Sequence, residues 1–546
     1  MLHAPAPVES TRTTVGPSLG GVFVASARAH ADRTALVVDG VAVSYGELAD
    51  AAAKIATALR GARPTGAPPL TAILASRTPS AYAGVLGGLL AGDAYVPLNP
   101  RFPPERLVAT LEAAGAAAIV VDDPAAPVAR ELAERAPHPL LLVMPNAAAP
   151  PDWSVRSSRH TFVCRPDLDG CRPELAQPPA GPDDGAYLLF TSGSTGQPKG
   201  VLISNRNALA YLEAAAARYR PGPQDRFTQL FDFSFDLSVH DMFLCWAAGA
   251  ALYCVPESAK VAPRDLVRRH ELTFWFSVPS TVASMARLRM LRRGDFPTLR
   301  WSLFCGEPLP RRLATTWAEA APNSIVENLY GPTEATIAFT AYRLPAGAAE
   351  RASLPETVPI GEPFPGLYSL VLDEAGSVIP DGEAGELCLG GAQVADGYWQ
   401  RPDLTLQRFA GPRGAETNGM RWYRTGDRVV ATPEHGFVFL GRTDTQAKIG
   451  GHRVELQEIE EVVRCAANCD LVAALPWPVD ADGLASGVLV FLTGSAVPDE
   501  AILAACRDRL PLYMVPARLR RVADWPLNPN GKTDRKQLAA LAKEMD

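Results

Sequence analysis

Between residues 34 and 122 short apolar runs alternate with longer amphipathic stretches. Residues 70–75 and 117–121 read as buried strands, and residues 81–90 as a helix between them. The same alternation returns from 186 to 255: a strand, a Gly-rich loop, a helix over about 205–219, then a further strand and helix. A third unit has strands at 274–278 and 302–305 with a helix starting at Pro279. Such alternation predicts layered α/β structure. Residues 357–439 read instead as β-rich, with turns at 380–382 and 433–436. After Gly441 the pattern changes again, to a hairpin, a helix over 457–466, strands near 471–474 and 487–492, and a helix over 501–510. The Pro-, Ala- and Asp-rich stretch 123–184 reads as mostly loop. The first 30 or so residues read as a leader plus a docking helix. The expected division is residues 1–441 and 442–546.

Composition narrows the class. A chain of 546 residues is too long for a single core, and 47% hydrophobic with 20% charged residues is ordinary for a globular protein. A net charge of −7 gives no basic footprint, so nucleic acid is not the expected partner. The nine cysteines are scattered without a CxxC pair, which argues against a zinc site and for reduced, cytoplasmic surroundings. No apolar run reaches membrane length, and the N-terminal stretch has no signal-like apolar core.

The strongest local signal is Thr191, Ser192, Gly193, Ser194, Thr195, Gly196, Gln197, Pro198, Lys199, Gly200, between an apolar strand and a helix. Glycines let the backbone approach phosphate oxygens, hydroxyls and amides donate to them, and Lys199 adds charge. A Walker A loop is excluded because the Gly-Lys-Ser/Thr ending is absent. Further motifs follow in order: Tyr330-Gly331-Pro332-Thr333-Glu334, Tyr423-Arg424-Thr425-Gly426-Asp427, Gly441-Arg442-Thr443-Asp444, and Asn530-Gly531-Lys532.

With these motifs in this order, residues 43–537 resemble the adenylate-forming superfamily: acyl-CoA synthetases, nonribosomal peptide synthetase adenylation domains and luciferase-like enzymes. The resemblance implies an α/β fold. Its large N-terminal domain has two α/β subdomains and a β-barrel, and its C-terminal domain is small, mobile and α+β. It implies ATP and Mg2+. Tyr330 would stack on adenine, Thr333 would meet the α-phosphate and Glu334 would hold Mg2+. Asp427, assisted by Arg442, would take the ribose hydroxyls, Asp444 would be the hinge, and Lys532 the catalytic lysine of adenylation.

Within the family, the residue matching Asp236 pairs with the ammonium of an α-amino acid. Matching also places Leu237, His240, Ser277, Leu303, Cys305, Leu329, Gly331, Ile337 and Ala338 at the acyl pocket. This is an apolar lining with one imidazole and no second charge. His240 either fills space or hydrogen-bonds a polar substrate. Stretches around Asp236, Cys305 and Gly331 resemble those of D-alanine–carrier-protein ligases. The expected substrate is alanine, glycine or serine. The alternatives are a prolyl or β-amino acid carrier-protein ligase, or an acyl-CoA synthetase.

Residues 448–456 resemble the segment that reaches the active site in the second half-reaction, with Gly450 where the family carries a bulky basic residue. No carrier-domain motif follows Lys532. The expected acceptor is therefore a phosphopantetheinylated carrier protein in trans, and the expected state a monomer or weak dimer.

Overall fold

The computed structural model describes residues 16–156, 159–171, 175–191, 198–260, 263–413, 419–527 and 533–543. Two large sheets dominate. The first has seven strands, in the order Thr161–Cys164, Leu141–Met144, Ala118–Val121, Leu70–Leu74, Ala94–Leu98, Gly185–Thr191 and Lys199–Ser204. All its pairings are parallel except the last. Every residue of Leu70–Leu74 and Ala118–Val121 is buried, which explains why these runs are apolar on both faces, save Thr71, whose hydroxyl donates to Asp93.

The second sheet has nine strands. Its parallel centre is formed by Ile325–Tyr330, Trp301–Phe304, Phe274–Ser277, Arg226–Gln229, Ala251–Cys254 and Thr34–Val38. Parallel strands end on one side of a sheet, and ligands of open α/β sheets gather at their carboxyl ends. Ser277, Cys305 and Tyr330 sit at such ends or one residue beyond.

Between the sheets run the helices Tyr45–Ala62 and Pro79–Ala91. The first is started by a capping box: Ser44 Oγ accepts from the Glu47 N–H, and Glu47 accepts from the Ser44 N–H. The two helices come unusually close because position 87 is glycine. A Cβ there would lie 2.6 Å from Ile55 Cγ2. Arg77, also buried, ties the sheets together. Its guanidinium donates to the carbonyls of Gln229 (2.9 Å) and Val255 (2.7 Å), both in the nine-stranded sheet or its loops.

The β-rich part is a four-stranded antiparallel sheet of Tyr368–Leu372, Ala384–Gly390, Trp422–Thr432 and Gly436–Arg442. Beyond it stand the hairpin Gln446–Ile449 and His452–Glu455, and a three-stranded sheet backed by helices Leu456–Ala467 and Asp499–Arg509. This smaller part has its own core, built from Ile449, Val454, Ile459, Val490, Ile502 and neighbours. The chain thus has a large N-terminal and a small C-terminal domain.

One expectation fails. The stretch 123–184 is not mostly loop: it carries helix Ala126–Arg135 and two strands, Leu141–Met144 and Thr161–Cys164, that extend the seven-stranded sheet. Pro127 lies in the first helical turn, where a missing N–H has no partner to lose, so it starts the helix rather than breaking it.

Arg77→Leu removes these donors and leaves buried carbonyls without partners. It is expected to lower unfolding free energy by about 3 kcal/mol in urea denaturation. An unchanged midpoint would show that Arg77 does not join the sheets.

Candidate active site between the large and small domains

Two buried carboxylates define the site. Glu334 is 0% exposed and follows the turn after strand Ile325–Tyr330. Its Oε1 accepts from the Tyr398 hydroxyl (2.8 Å) and its Oε2 from Arg453 (2.9 Å). Burial alone would raise its pKa, but the Arg453 and Lys199 cations overcome this and hold it down to about 2. Asp236 is 7% exposed, and burial pushes its pKa up to about 6. Opposing that rise, the Ile337 N–H donates to Oδ2 (3.2 Å), the Thr333 hydroxyl donates as well, and Lys448 contributes at longer range. Among the described residues, no lysine or arginine forms an ion pair with Asp236.

The backbone that aims Ile337 at Asp236 is strained. Thr336 and Ile337 both have positive φ, 60° and 68°, a region β-branched residues rarely enter. Each such residue costs about 1–3 kcal/mol unless its surroundings hold it. The tightness extends to Gly331, where a Cβ would lie 2.7 Å from the Ala338 Cα.

A cavity of about 470 Å³ is lined by Tyr330, Gly331, Asp427, Arg442, Lys448 and Arg453. In it Asp427 accepts from the Tyr330 hydroxyl at one oxygen and from Arg442 at the other. Arg442 also donates to both oxygens of Asp444 (2.7 and 2.9 Å). Asp444 is further approached by Arg408 (3.5 Å). Asp427, Arg442 and Asp444 thus form one chain of alternating charge along the wall of this cavity.

The residues expected at the acyl pocket, Leu237, Leu303, Cys305, Leu329, Ile337 and Ala338, are all buried, and Cys305 and Ile337 lie near the Asp236 carboxylate. Burial pushes the Cys305 thiol up to about 12, so it behaves as a small apolar group. His240 is buried in the π-helical turn His240–Leu244, with Nδ1 2.7 Å from the Tyr211 hydroxyl. Burial lowers its pKa to about 3, so it is neutral near pH 7. Ser277 accepts from Trp275 Nε1 (2.9 Å) and faces a second cavity.

That second cavity, about 720 Å³, runs between the domains. Phe235, Ser277, Val278, Gly451, His452 and Tyr513 line it, together with Arg101 and Lys260. The His452 ring stacks on Tyr513 (3.6 Å) and meets Phe235 edge-on (4.9 Å). Position 451 must be glycine here. Its φ is +85°, a Cβ would lie 2.9 Å from Val278, and its N–H donates to Glu307.

Sequence reasoning missed the way the hairpin enters the site. Arg453 pairs with Glu334, and Glu455, two residues on, pairs with Lys199 (3.4 Å). The period of two in a strand puts both side chains on one face, which the sequence showed, but only the fold reveals what they meet. Tyr211, Tyr398 and Gln393 were likewise missed. Ser192, Gly193, Ser194, Thr195 and Gly196 of the Gly-rich loop, and Lys532, lie outside the described residues; Thr191 and Lys199 flank that loop.

Glu334, ionised and buried, is a hard oxygen donor of the kind Mg2+ takes. Among the described residues no group of three or more acidic, His or Cys side chains converges. Glu334 would therefore hold the ion together with nucleotide phosphates, whose charge the ion would offset.

Comparison with known proteins agrees with this geometry. The AMP-binding enzyme family model matches residues 23–399. The Vibrio cholerae adenylation domain AlmE, solved with glycyl-adenosine-5′-phosphate, is 32% identical, with a TM-score of 0.87 over 98% of this chain and 99% of that one. IdnL7 is 35% identical, with a TM-score of 0.69 over 97% and 99%. Phosphinothricin tripeptide synthetase PhsC of Streptomyces viridochromogenes is 34% identical over 95% of this chain. Tyrocidine synthase 3 of Brevibacillus parabrevis is 32% identical over 93%. The chain spans only 45% and 7% of the lengths of those two synthetases. The chain therefore belongs to the AMP-binding enzyme family, as an adenylation enzyme of the nonribosomal-peptide-synthetase type.

Proposed function

We propose that this chain activates a small neutral amino acid, alanine, glycine or serine, with ATP and passes it to the phosphopantetheine thiol of a separate carrier protein. The observation that carries this reading is Asp236: a buried carboxylate among buried apolar side chains, with no lysine or arginine among the described residues in an ion pair with it. Burying an anion without a counter-charge is strongly unfavourable, so a substrate ammonium is the fitting partner. The apolar lining offers nothing to a second charge on the substrate. The glycyl-adenylate bound by the similar AlmE domain supports a small side chain.

In the first step an oxygen of the amino acid carboxylate attacks the α-phosphorus of ATP, the bond to the bridging oxygen breaks, and pyrophosphate leaves. Asp236 orients the amine, Asp427 and Arg442 take the ribose, Tyr330 the adenine, and Thr333 the α-phosphate. Glu334 would hold Mg2+, whose charge offsets that of the phosphates. Lys532 would bridge the attacking carboxylate and the α-phosphate.

In the second step the thiol sulfur attacks the acyl carbon, its proton passes to solvent, the acyl–oxygen bond breaks, and AMP leaves. The 720 Å³ cavity is lined by Phe235, the chain neighbour of Asp236, and is large enough for a pantetheine arm. Arg101 and Lys260, also in its lining, suit a phosphate. The hairpin position supports a thiol-transfer arrangement, with the domain boundary at 441/442 and the hinge at Asp444. The strand Gly436–Arg442 is the last to pair with the large domain's sheets among the described residues.

Amino-acid-dependent pyrophosphate exchange tests the substrate. Alanine, glycine or serine should drive exchange; exchange driven only by fatty or aryl acids would overturn the reading.

The pH dependence has a definite sign. Free Asp236 has a pKa of about 6, and a bound ammonium favours its charged form, so binding is strong above that pH and lost below it. The amino acid KM should rise roughly tenfold per unit as pH falls below about 6, while Glu334, at about 2, stays ionised. A flat KM between pH 5 and pH 7 would contradict the assignment.

Gly451→Val should leave exchange within about threefold but lower transfer to a carrier protein by roughly 100-fold, since it blocks hairpin docking. Lys532→Ala should do the reverse, losing exchange while transferring from a supplied adenylate. Equal loss of both steps in either variant would contradict the two-state scheme.

A further inference from the structure

We propose that Gln393 is a positioning residue: it holds the turn 335–338 in its left-handed conformation, and so aims the Ile337 N–H at Asp236. The proposal deepens the amino acid reading above and rests on it.

Gln393 is 1% exposed and lies in the loop after strand Ala384–Gly390. Its side-chain amide donates to the carbonyl of Ala338 (2.9 Å) and that of Thr336 (3.2 Å), with Ala335 at 3.4 Å. Its own backbone carbonyl accepts from the Thr336 hydroxyl (2.6 Å). One residue thus grips both sides of the Thr336–Ile337 pair. Those two residues carry the positive φ angles, 60° and 68°. A β-branched pair would leave this region if its carbonyls were free to turn. Its departure would carry the Ile337 N–H away from Asp236 Oδ2, now 3.2 Å distant. Ile337 and Ala338 would move with it, and they form part of the acyl wall.

The loop that bears Gln393 is itself fixed. Asn207 Nδ2 donates to the carbonyls of Ala392 (2.7 Å) and Val394 (3.1 Å), from the helix Asn205–Tyr219. The Ala395 N–H donates to the Glu334 carbonyl (2.9 Å). The same short loop therefore locates the backbone of both buried carboxylate sites, through Ile337 for Asp236 and directly for Glu334. A glutamine side chain suits this position because its two amide hydrogens and its length let one head group serve successive carbonyls. None of these contacts involves a substrate atom, so Gln393 acts through Asp236.

The test uses Gln393→Glu, which keeps the shape but offers no N–H, and Thr336→Val, which keeps the volume but breaks the second link. Pyrophosphate exchange is measured with the amino acid, with its des-amino analogue and with ATP varied in turn, across pH. Both variants should raise the amino acid KM, by about tenfold or more for Gln393→Glu, and leave the ATP KM within about twofold. The pH midpoint of the amino acid KM should move upward, by roughly one unit, because Asp236 loses a donor to its charged form. A merely structural role would not move that midpoint. If the unmodified protein activates the des-amino acid as well as the amino acid, the reading of Asp236 fails, and the inference with it. If the unmodified protein discriminates but both variants keep its KM and its midpoint, the role of Gln393 alone is overturned.

Discussion

A carboxylate removed from water requires a positive charge nearby, and this site contains two such carboxylates with different solutions. Glu334 has Arg453 and Lys199 beside it and stays ionised to about pH 2. Among the described residues, Asp236 has hydrogen-bond donors and a more distant Lys448 but no ion-paired cation, and its pKa sits at about 6. The first anion is satisfied within the protein; the second becomes satisfied when a cation arrives. Under the proposed function this difference, between neighbours in space, would give the site its preference for an amine. The buried apolar residues Leu303, Cys305 and Ile337 would then limit what can accompany that cation.

The hairpin applies the same constraint to the order of events. Its two charged side chains meet Glu334 and Lys199, a metal-binding candidate and a phosphate-binding candidate of opposite sign. Under the proposed function, neither could serve ATP while the hairpin occupies it, and neither would be left without a counter-charge after pyrophosphate departs. Arg442 completes the arrangement, since it joins Asp427, the candidate ribose carboxylate, to Asp444 beyond the strand Gly436–Arg442. Charge compensation therefore links what is bound to where the small domain sits.

Much of this was legible in the sequence because local chemistry enforces local spacing. The buried parallel strands showed as largely apolar runs, and the candidate nucleotide residues as compact motifs in a fixed order. What stayed hidden depends on contacts between distant segments. Arg453 and Glu334 are 119 positions apart, and Gln393 and Ala338 are 55. A polar residue in an apolar stretch marks Gln393 as unusual, yet nothing local says which carbonyls it serves. The stretch 123–184 misled for a different reason. Pro127 in a first helical turn looks like a breaker to a pattern reading and acts as a starter in three dimensions.

The central claim is that Asp236 binds an ammonium, and calorimetry with two non-reactive adenylate mimics tests it most directly. One carries a small amino acid joined to adenosine through a sulfamoyl link; the other is the same molecule without the amine. Removing one partner of a buried ion pair costs about 3–5 kcal/mol, so the amine should strengthen binding by roughly 100-fold or more. Equal affinity for the two mimics would contradict the account, because Asp236 would then have no cation to meet.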